Sequence, residues 1–385
     1  MNKIKVMSIF GTRPEAIKMA PLVKMLEKDE MFESIVCVTA QHREMLDSVM
    51  RIFDIKPQYD LNIMNHGQSI VDISNKVLKG VNDVFNQCKP DIVLVHGDTS
   101  TTLNSALAAL YNRIPVAHVE AGLRSNDNYS PFPEEINRKL TGSIAEIHFS
   151  PTKSNKENLL KEGISNDKIF ITGNTVIDAL KSVIKEEYIF ESKSLNNIDF
   201  NNRKVILLTT HRRENWGEPM ENIFKAIIEL LNSNDDIEIV FPMHKNPKIR
   251  ELASKYFNEY LDRVHLIDPL EYVDFTNLMN KVYLIMTDSG GIQEEAPALG
   301  KPVVVLRTET ERPEAVEAGT VKLVGIKREA IVGEVNKLIR DKESYELMSK
   351  SINPYGDGLA SQRITSIIKN YFNKTSNSID EFKFL

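Results

Sequence analysis

Short apolar, β-branched runs alternate with amphipathic stretches along most of the chain. IKVMSIF precedes the periodic apolar positions of residues 17–26, SIVCVTA precedes 45–53, DIVLVHG precedes 103–110, and IPVAHVE follows. Runs this short, each followed by a helical period, are the rhythm of βα units on a parallel sheet. The rhythm breaks in the polar, Asn-rich stretch EEYIFESKSLNNIDFNNRK and restarts with VILLTTH, DIEIVFPMH, VHLID, VYLIMTDSGG and KPVVVL. In a chain of 385 residues the restart predicts two α/β domains with separate cores. The join lies within residues 170–204. Because ITGNTVIDAL still reads as a strand and a helix whereas the Asn-rich stretch does not, the division is placed at 172/173, giving domains 1–172 and 173–361. A last apolar helix, around residues 364–372, follows the NPYGDG turn, and residues 373–385 read as a polar tail.

Each distinctive polar cluster comes directly after a predicted strand: GTRPE, QHRE, HGDTS and VEAGLR in the first half, HRREN, MHKNP, DSGGIQEE and TERPEA in the second. Strand C-termini of open parallel sheets are where such folds bind ligands. The tetrapeptide RPEA occurs in both halves, at residues 13–16 and 312–315. Its Pro and Glu suit the first turn of a helix and are explained by helix-start chemistry alone, which leaves Arg13 and Arg312 free to reach outward. Either arginine also reads as a solvated surface cation.

A net charge of -6 gives no general attraction to nucleic acid or to an anionic membrane, so a phosphate-bearing ligand must be met by a local cluster. Two cysteines, Cys37 and Cys88, suit a reducing compartment and argue against a disulfide scaffold or a thiolate zinc site. KIKVMSIF is too short for a signal-peptide core and no apolar run approaches membrane-spanning length, so the expected location is the cytoplasm. GxxxxGK[ST] and a strand-following GxGxxG are both lacking, which disfavours ATP-dependent phosphoryl transfer and a tightly held nicotinamide. The eight histidines are scattered and no HExxH or EF-hand pattern occurs, so no metal is expected.

In DSGGIQEEAPALGKPVVVL the amides of Gly290 and Gly291 with the Ser289 hydroxyl could cradle an anion at a helix start, with Glu295 about a turn later placed for ribose hydroxyls. The stretch also reads as a plain βαβ turn that needs glycine for its geometry. Asp98 in HGDT and Glu120 in HVEAG directly follow apolar strands, where desolvation can raise a carboxylate toward useful acid/base values. Glu134 in PFPEEINRK is a third candidate. Glu134 or its neighbour Glu135 reads equally as a helix-start acid pairing with Arg138 and Lys139 at i+4, and for Glu135 that structural role is the favoured one. His211, leading HRREN, reads as a general acid, a phosphate donor or a structural hydrogen-bonder.

Together GTRPEAIKMAPL, TAQHREMLD, LVHGDTSTTL, HVEAGLR, SPFPEEINRKLTG, FITGNTVIDAL, THRREN, MTDSGGIQEEAPALGKPV, TERPEAVEAGTVKLVG and NPYGDGLASQRI resemble the non-hydrolysing bacterial UDP-N-acetylglucosamine 2-epimerases, from about residue 4 to residue 370. The resemblance implies two Rossmann-like domains whose parallel sheets face one another across a cleft, as in the GT-B class, with segment 362–385 docking back on the first domain. It implies interconversion of UDP-GlcNAc and UDP-ManNAc for a bacterial surface polysaccharide, without a cofactor, by a homodimer. Matched by motif, Asp98, Glu120, Glu134 and His211 form the catalytic set, and Arg13, Lys18, Arg138, Phe275, Ser289, Gly290, Gly291, Glu295 and Arg312 hold the UDP-sugar. Gln41, His42 and Gln68 sit where contacts of a second, allosteric substrate would be carried over. The family often has Gln where this chain has Leu270.

The chemistry can be argued without the resemblance. The C2 hydrogen of GlcNAc is not adjacent to a carbonyl, so an enzyme must oxidise a neighbouring carbon or expel a leaving group; the lack of GxGxxG favours expulsion. Loss of UDP from C1 with removal of the C2 proton gives a 2-acetamidoglucal, to which UDP returns after reprotonation on the opposite face. That route needs cations and amides for the diphosphate and at least two acid/base groups. A hydrolysing epimerase, a GT-B glycosyltransferase and a non-catalytic UDP-sugar sensor share parts of this pattern; a sensor has no need of both Asp98 and Glu120.

Overall fold

The computed structural model describes residues 3–40, 43–65, 67–373 and 380–384. The chain divides into two compact units, residues 1–182 with 355–385, and residues 183–354.

The first unit is built on seven parallel strands, β1 (Ile4–Phe10), β2 (Phe32–Val38), β3 (Tyr59–Asp60), β4 (Ile92–His96), β5 (Val116–Val119), β6 (Ile147–Ser150) and β7 (Ile169–Ile171), in the order β3-β2-β1-β4-β5-β6-β7. β4 and β5 are buried along their whole length, as expected of a parallel sheet covered by helices on both faces. The second unit has β8 (Lys204–Thr209), β9 (Ile237–Pro242), β10 (Val264–Ile267), β11 (Leu284–Thr287), β12 (Val303–Val305) and β13 (Val321–Leu323), all parallel, in the order β10-β9-β8-β11-β12-β13. Both sheets therefore run outward in opposite directions from a central pair, β1/β4 and β8/β11, which is the doubly wound order. The strands expected from sequence are present; β3, β6 and β13 were not anticipated.

The division falls at Ser182/Val183 rather than 172/173, because the helix Thr175–Val183 buries Val176, Ile177, Ala179 and Leu180 in the first unit. Its Asp178 accepts hydrogen bonds from the amides of Ala360 (3.2 Å) and Ser361 (2.7 Å), capping the last helix, Ala360–Tyr371, where the chain has returned. Lys369 of that helix forms an ion pair with Asp29 at the end of the helix Arg13–Lys28. Residues 380–384 are not a solvated tail: Phe382 is buried and its amide donates to the carbonyl of Ile171 on β7 at 2.8 Å. Among the described residues no helix is long and apolar enough to cross a membrane.

Candidate active site

In a doubly wound sheet the loops leaving the two central strands diverge and open a crevice at their C-terminal ends. In the first unit those loops are Gly11–Thr12 with Arg13 after β1 and Gly97–Asp98 after β4; in the second they are His211 and Arg212 after β8 and Asp288 to Gly291 after β11. Arg13 and Asp98 in the first unit, and His211 and Ser289 to Gly291 in the second, thus lie at the topological switch points.

The first RPEA copy opens the helix Arg13–Lys28, with Thr12 as its N-cap. Glu15 is buried and works as a knot between the two loops. Its Oε2 accepts from the amides of Gly11 (3.1 Å) and Thr12 (2.8 Å) and from the Thr12 hydroxyl (2.8 Å), and its Oε1 accepts from the hydroxyls of Thr99 (2.7 Å) and Thr102 (3.2 Å). Arg13 makes no hydrogen bond or ion pair among the described residues, so its guanidinium is available to a ligand.

Lys18, one turn further along, is committed to Glu120, its Nζ lying 2.8 and 2.5 Å from the two carboxylate oxygens. His96 Nε2 is 2.9 Å from Glu120 Oε2. Burial alone would raise the Glu120 pKa, but Lys18 and His96 hold it well below the usual carboxylate range. The expectation that desolvation raises this acid is therefore reversed: its environment keeps it as the anion. Glu120 also adopts a left-handed backbone (φ 61°), uncommon for a residue with a side chain and sustained here by that double clamp.

Asp98 accepts two charge-assisted bonds from Arg138, at 2.9 Å from Nε and 2.6 Å from Nη2, and its carbonyl accepts from Asn137 Nδ2 at 2.8 Å. Both partners lie on the helix Glu134–Ile144, which is thereby tied to the end of β4. Arg138 also reaches Glu135 (3.2 Å), which is fully buried and accepts from the amides of Ser125 and Asn126, the structural role its spacing suggested. Glu134 differs: its Oε2 is buried and has no hydrogen-bond partner among the described residues. An unpaired buried carboxylate oxygen is costly, which suits this oxygen to a ligand group.

In the second unit His211 is half exposed, and its Nδ1 lies 3.2 Å from Oδ1 of the fully buried Asp288. Hydrogen bonds from His211 and the loop after β8 lower the Asp288 pKa to about 2 against its burial. Ser289 is the N-cap of the short helix Gly290–Glu295. Gly290 and Gly291 have ordinary negative φ, and a Cβ at either would meet only Arg212 Nη2 at 3.8 Å or Glu295 Oε1 at 3.4 Å. Neither a positive φ nor protein packing requires glycine at these positions, and the space beside these amides is open to a ligand. Arg312, at the start of the helix Pro313–Glu317, is ion-paired with Glu294, so only the first of the two RPEA arginines is free as expected. Phe275 is partly buried on the helix Tyr272–Lys281.

Gln68 accepts from Lys76 Nζ at 3.1 Å at the start of the helix Ile70–Cys88, while Gln41 and His42 lie outside the described residues. Among the described residues no group of three acids, histidines or cysteines could hold a metal ion. Sequence reasoning missed His96 and Asp288, although both stand inside the quoted strand-end clusters.

Comparison with known proteins gives the family and the fold. A family profile described as UDP-N-acetylglucosamine 2-epimerase matches residues 24–369. A Bacillus subtilis UDP-N-acetylglucosamine 2-epimerase is 53% identical over 382 residues, 99% of each chain. A solved Listeria monocytogenes chain superposes with a TM-score of 0.94 at 52% identity, over all of both chains. A Neisseria meningitidis UDP-GlcNAc 2-epimerase solved with UDP-GlcNAc bound gives a TM-score of 0.83 at 50% identity, over 95% of this chain and all of that one. The fold is accordingly GT-B-like, two Rossmann-like units in one chain.

Proposed function

Because the chain belongs to the UDP-N-acetylglucosamine 2-epimerase family, we propose that it interconverts UDP-GlcNAc and UDP-ManNAc by reversible loss of UDP. In the forward direction the C1–O bond to the diphosphate breaks as a carboxylate removes the C2 proton, leaving a C1=C2 double bond in a 2-acetamidoglucal. A proton then returns to the opposite face of C2, and a β-phosphate oxygen of UDP re-forms the bond to C1. Atoms and electrons balance, and neither an oxidant nor a second substrate is consumed.

Proton removal and return at opposite faces need two acid/base groups in different states. Glu120, kept anionic by Lys18 and His96, is one candidate; Glu134, whose buried Oε2 lacks a protein partner, and Asp98, oriented by Arg138, are the others. The observation that carries the reading is this set of three carboxylates in three distinct environments, Asp98 and Glu120 at neighbouring strand ends and Glu134 on the helix that Arg138 ties to Asp98. Arg13, His211 and the amides of Gly290 and Gly291 are assigned to the diphosphate, whose charge grows as it departs. Ser289, Glu295, Arg312 and Phe275 are assigned to the rest of the nucleotide, and Arg138 to the orientation of Asp98. UDP-GlcNAc, UDP-ManNAc and UDP are its small-molecule partners in this reading, with a homodimer as the working assembly and the cytoplasm, where UDP-sugars are made, as its place. Gln68 is assigned to a second substrate site.

The test is Asp98→Asn. It should lower epimerase turnover by at least 10²-fold, in the range typical of a lost acid/base group, while UDP binding measured by calorimetry stays within about threefold. Full activity in the Asp98→Asn variant would remove Asp98 from the mechanism, and free ManNAc as the wild-type product would place the protein among hydrolysing enzymes.

A further inference from the structure

The two carboxylate oxygens of Asp288 are used differently. Oδ2 accepts from the Thr210 hydroxyl, the amides of His211 and Arg212, and Asn215 Nδ2, each at 3.0 Å. Oδ1 has no hydrogen bond of regular geometry, but Nδ1 of His211 lies 3.2 Å from it as an ion-pair contact, and the side chain is entirely buried. Four donors fix the carboxylate's rotation, so the second oxygen is held beside the imidazole. From this geometry we infer that Asp288 is a positioning residue that holds His211 in the Nδ1–H tautomer and turns Nε2 outward as the working nitrogen. The inference rests on the assignment of His211 to the UDP-sugar.

A carboxylate can only accept a hydrogen bond, so the imidazole nitrogen facing it carries the hydrogen. Both groups belong to the second unit: Asp288 follows β11 and His211 follows β8, and the same carboxylate that shapes the loop after β8 fixes the ring that the loop carries. In the neutral state Nε2 is then an acceptor, able to take up a proton and hand it to a phosphate oxygen.

Asp288→Asn offers a sharp test because the four donors dictate how the amide sits. Its oxygen must take the Oδ2 position, which forces the NH2 into the place of Oδ1, facing His211. A donor there requires a lone pair on Nδ1, so the ring must move its hydrogen to Nε2. The variant should keep the loop and invert the tautomer. The measurement is a long-range 1H–15N spectrum of the whole protein at about pH 9 without ligand, with His211→Gln used to assign the His211 signal among the eight histidines.

The expected wild-type pattern is a protonated Nδ1 and an unprotonated Nε2. Asp288→Asn should reverse it and lower kcat at least 10²-fold, with KM for UDP-GlcNAc within about threefold. A wild-type ring protonated on Nε2 overturns the inference even if the variant fails to fold. An unreversed tautomer in a folded variant, or a reversed one with kcat within threefold of wild type, overturns it equally. If the wild-type protein shows no action on UDP-GlcNAc, the functional reading fails while the tautomer result still stands.

Discussion

Glu15→Ala isolates the structural half of the RPEA motif. The wild-type carboxylate accepts five hydrogen bonds spanning the loops after β1 and β4, within 2.7 to 3.2 Å. The hydroxyls of Thr12 and Thr99 can turn away when it is lost, and the Thr102 hydroxyl already has the His96 carbonyl at 2.5 Å. The amides of Gly11 and Thr12 cannot turn away, and both residues are buried. Two orphaned amides at about 1–3 kcal/mol each amount to a loss on the order of 4 kcal/mol. That corresponds to about a 10³-fold faster exchange of the amides opened with this unit. A single global free energy is not defined for a two-unit chain, so the assay must resolve the units. Hydrogen exchange over β1 and β4 reports the first, while Trp216, the sole tryptophan, reports the second by fluorescence during urea unfolding. Faster exchange in β1 and β4 with an unmoved Trp216 transition is the expected result. Exchange within threefold of wild type in those strands would refute the idea that Glu15 joins the two loops.

Gly291→Ala should leave folding stability unchanged or raise it by up to about 1 kcal/mol, since φ is ordinary, the Cβ finds space and Ala favours a helix over Gly; calorimetry should nevertheless show UDP affinity falling at least tenfold, and unchanged affinity would separate these amides from the ligand. Burial pushes His118 down to about 3 and His148 to about 4, so both are neutral when folded and charged when unfolded over the acid range. Because the unfolded chain binds more protons there, the first unit should lose stability as pH falls from about 6.5 toward 4, by up to about 1.4 kcal/mol per pH unit for each histidine; His148→Phe should flatten the slope seen by hydrogen exchange, and an unchanged slope would contradict it. Lys18→Met removes the ammonium group that helps keep Glu120 anionic, so the acid limb of the kcat profile should move to higher pH; a profile that does not move would show that this clamp is not what sets the state of Glu120.

What was legible in the sequence was mostly local. Strands of β-branched residues, the helix starts at the two RPEA copies, and the pairing of Glu135 with Arg138 and Lys139 follow from contacts within about one helical turn. The strand-end placement of the polar clusters was legible too, because a doubly wound sheet puts every such end on one edge. The pairings that set chemistry were not. Lys18 and Glu120 stand 102 residues apart, and the His211 amide and Asp288 stand 77 apart, so no spacing rule joins them. This is why Glu120 could be expected to be raised by burial when a distant lysine and His96 lower it, and why Arg312 could be expected to be free when Glu294 holds it. Phe382 shows the same limit at the chain's end: one apolar residue in a polar stretch carries no period, yet it docks beside β7.

The central claim is that the C2 proton leaves and returns without a redox cofactor or water entering the product. Proton NMR of the purified protein with UDP-GlcNAc in deuterated water, with no metal or nicotinamide added, tests it most directly. The expected product is UDP-ManNAc carrying deuterium at C2, with UDP-GlcNAc exchanging its own C2 proton as the reaction reverses. UDP-ManNAc that retains protium at C2 would contradict proton loss to a side chain that equilibrates with solvent.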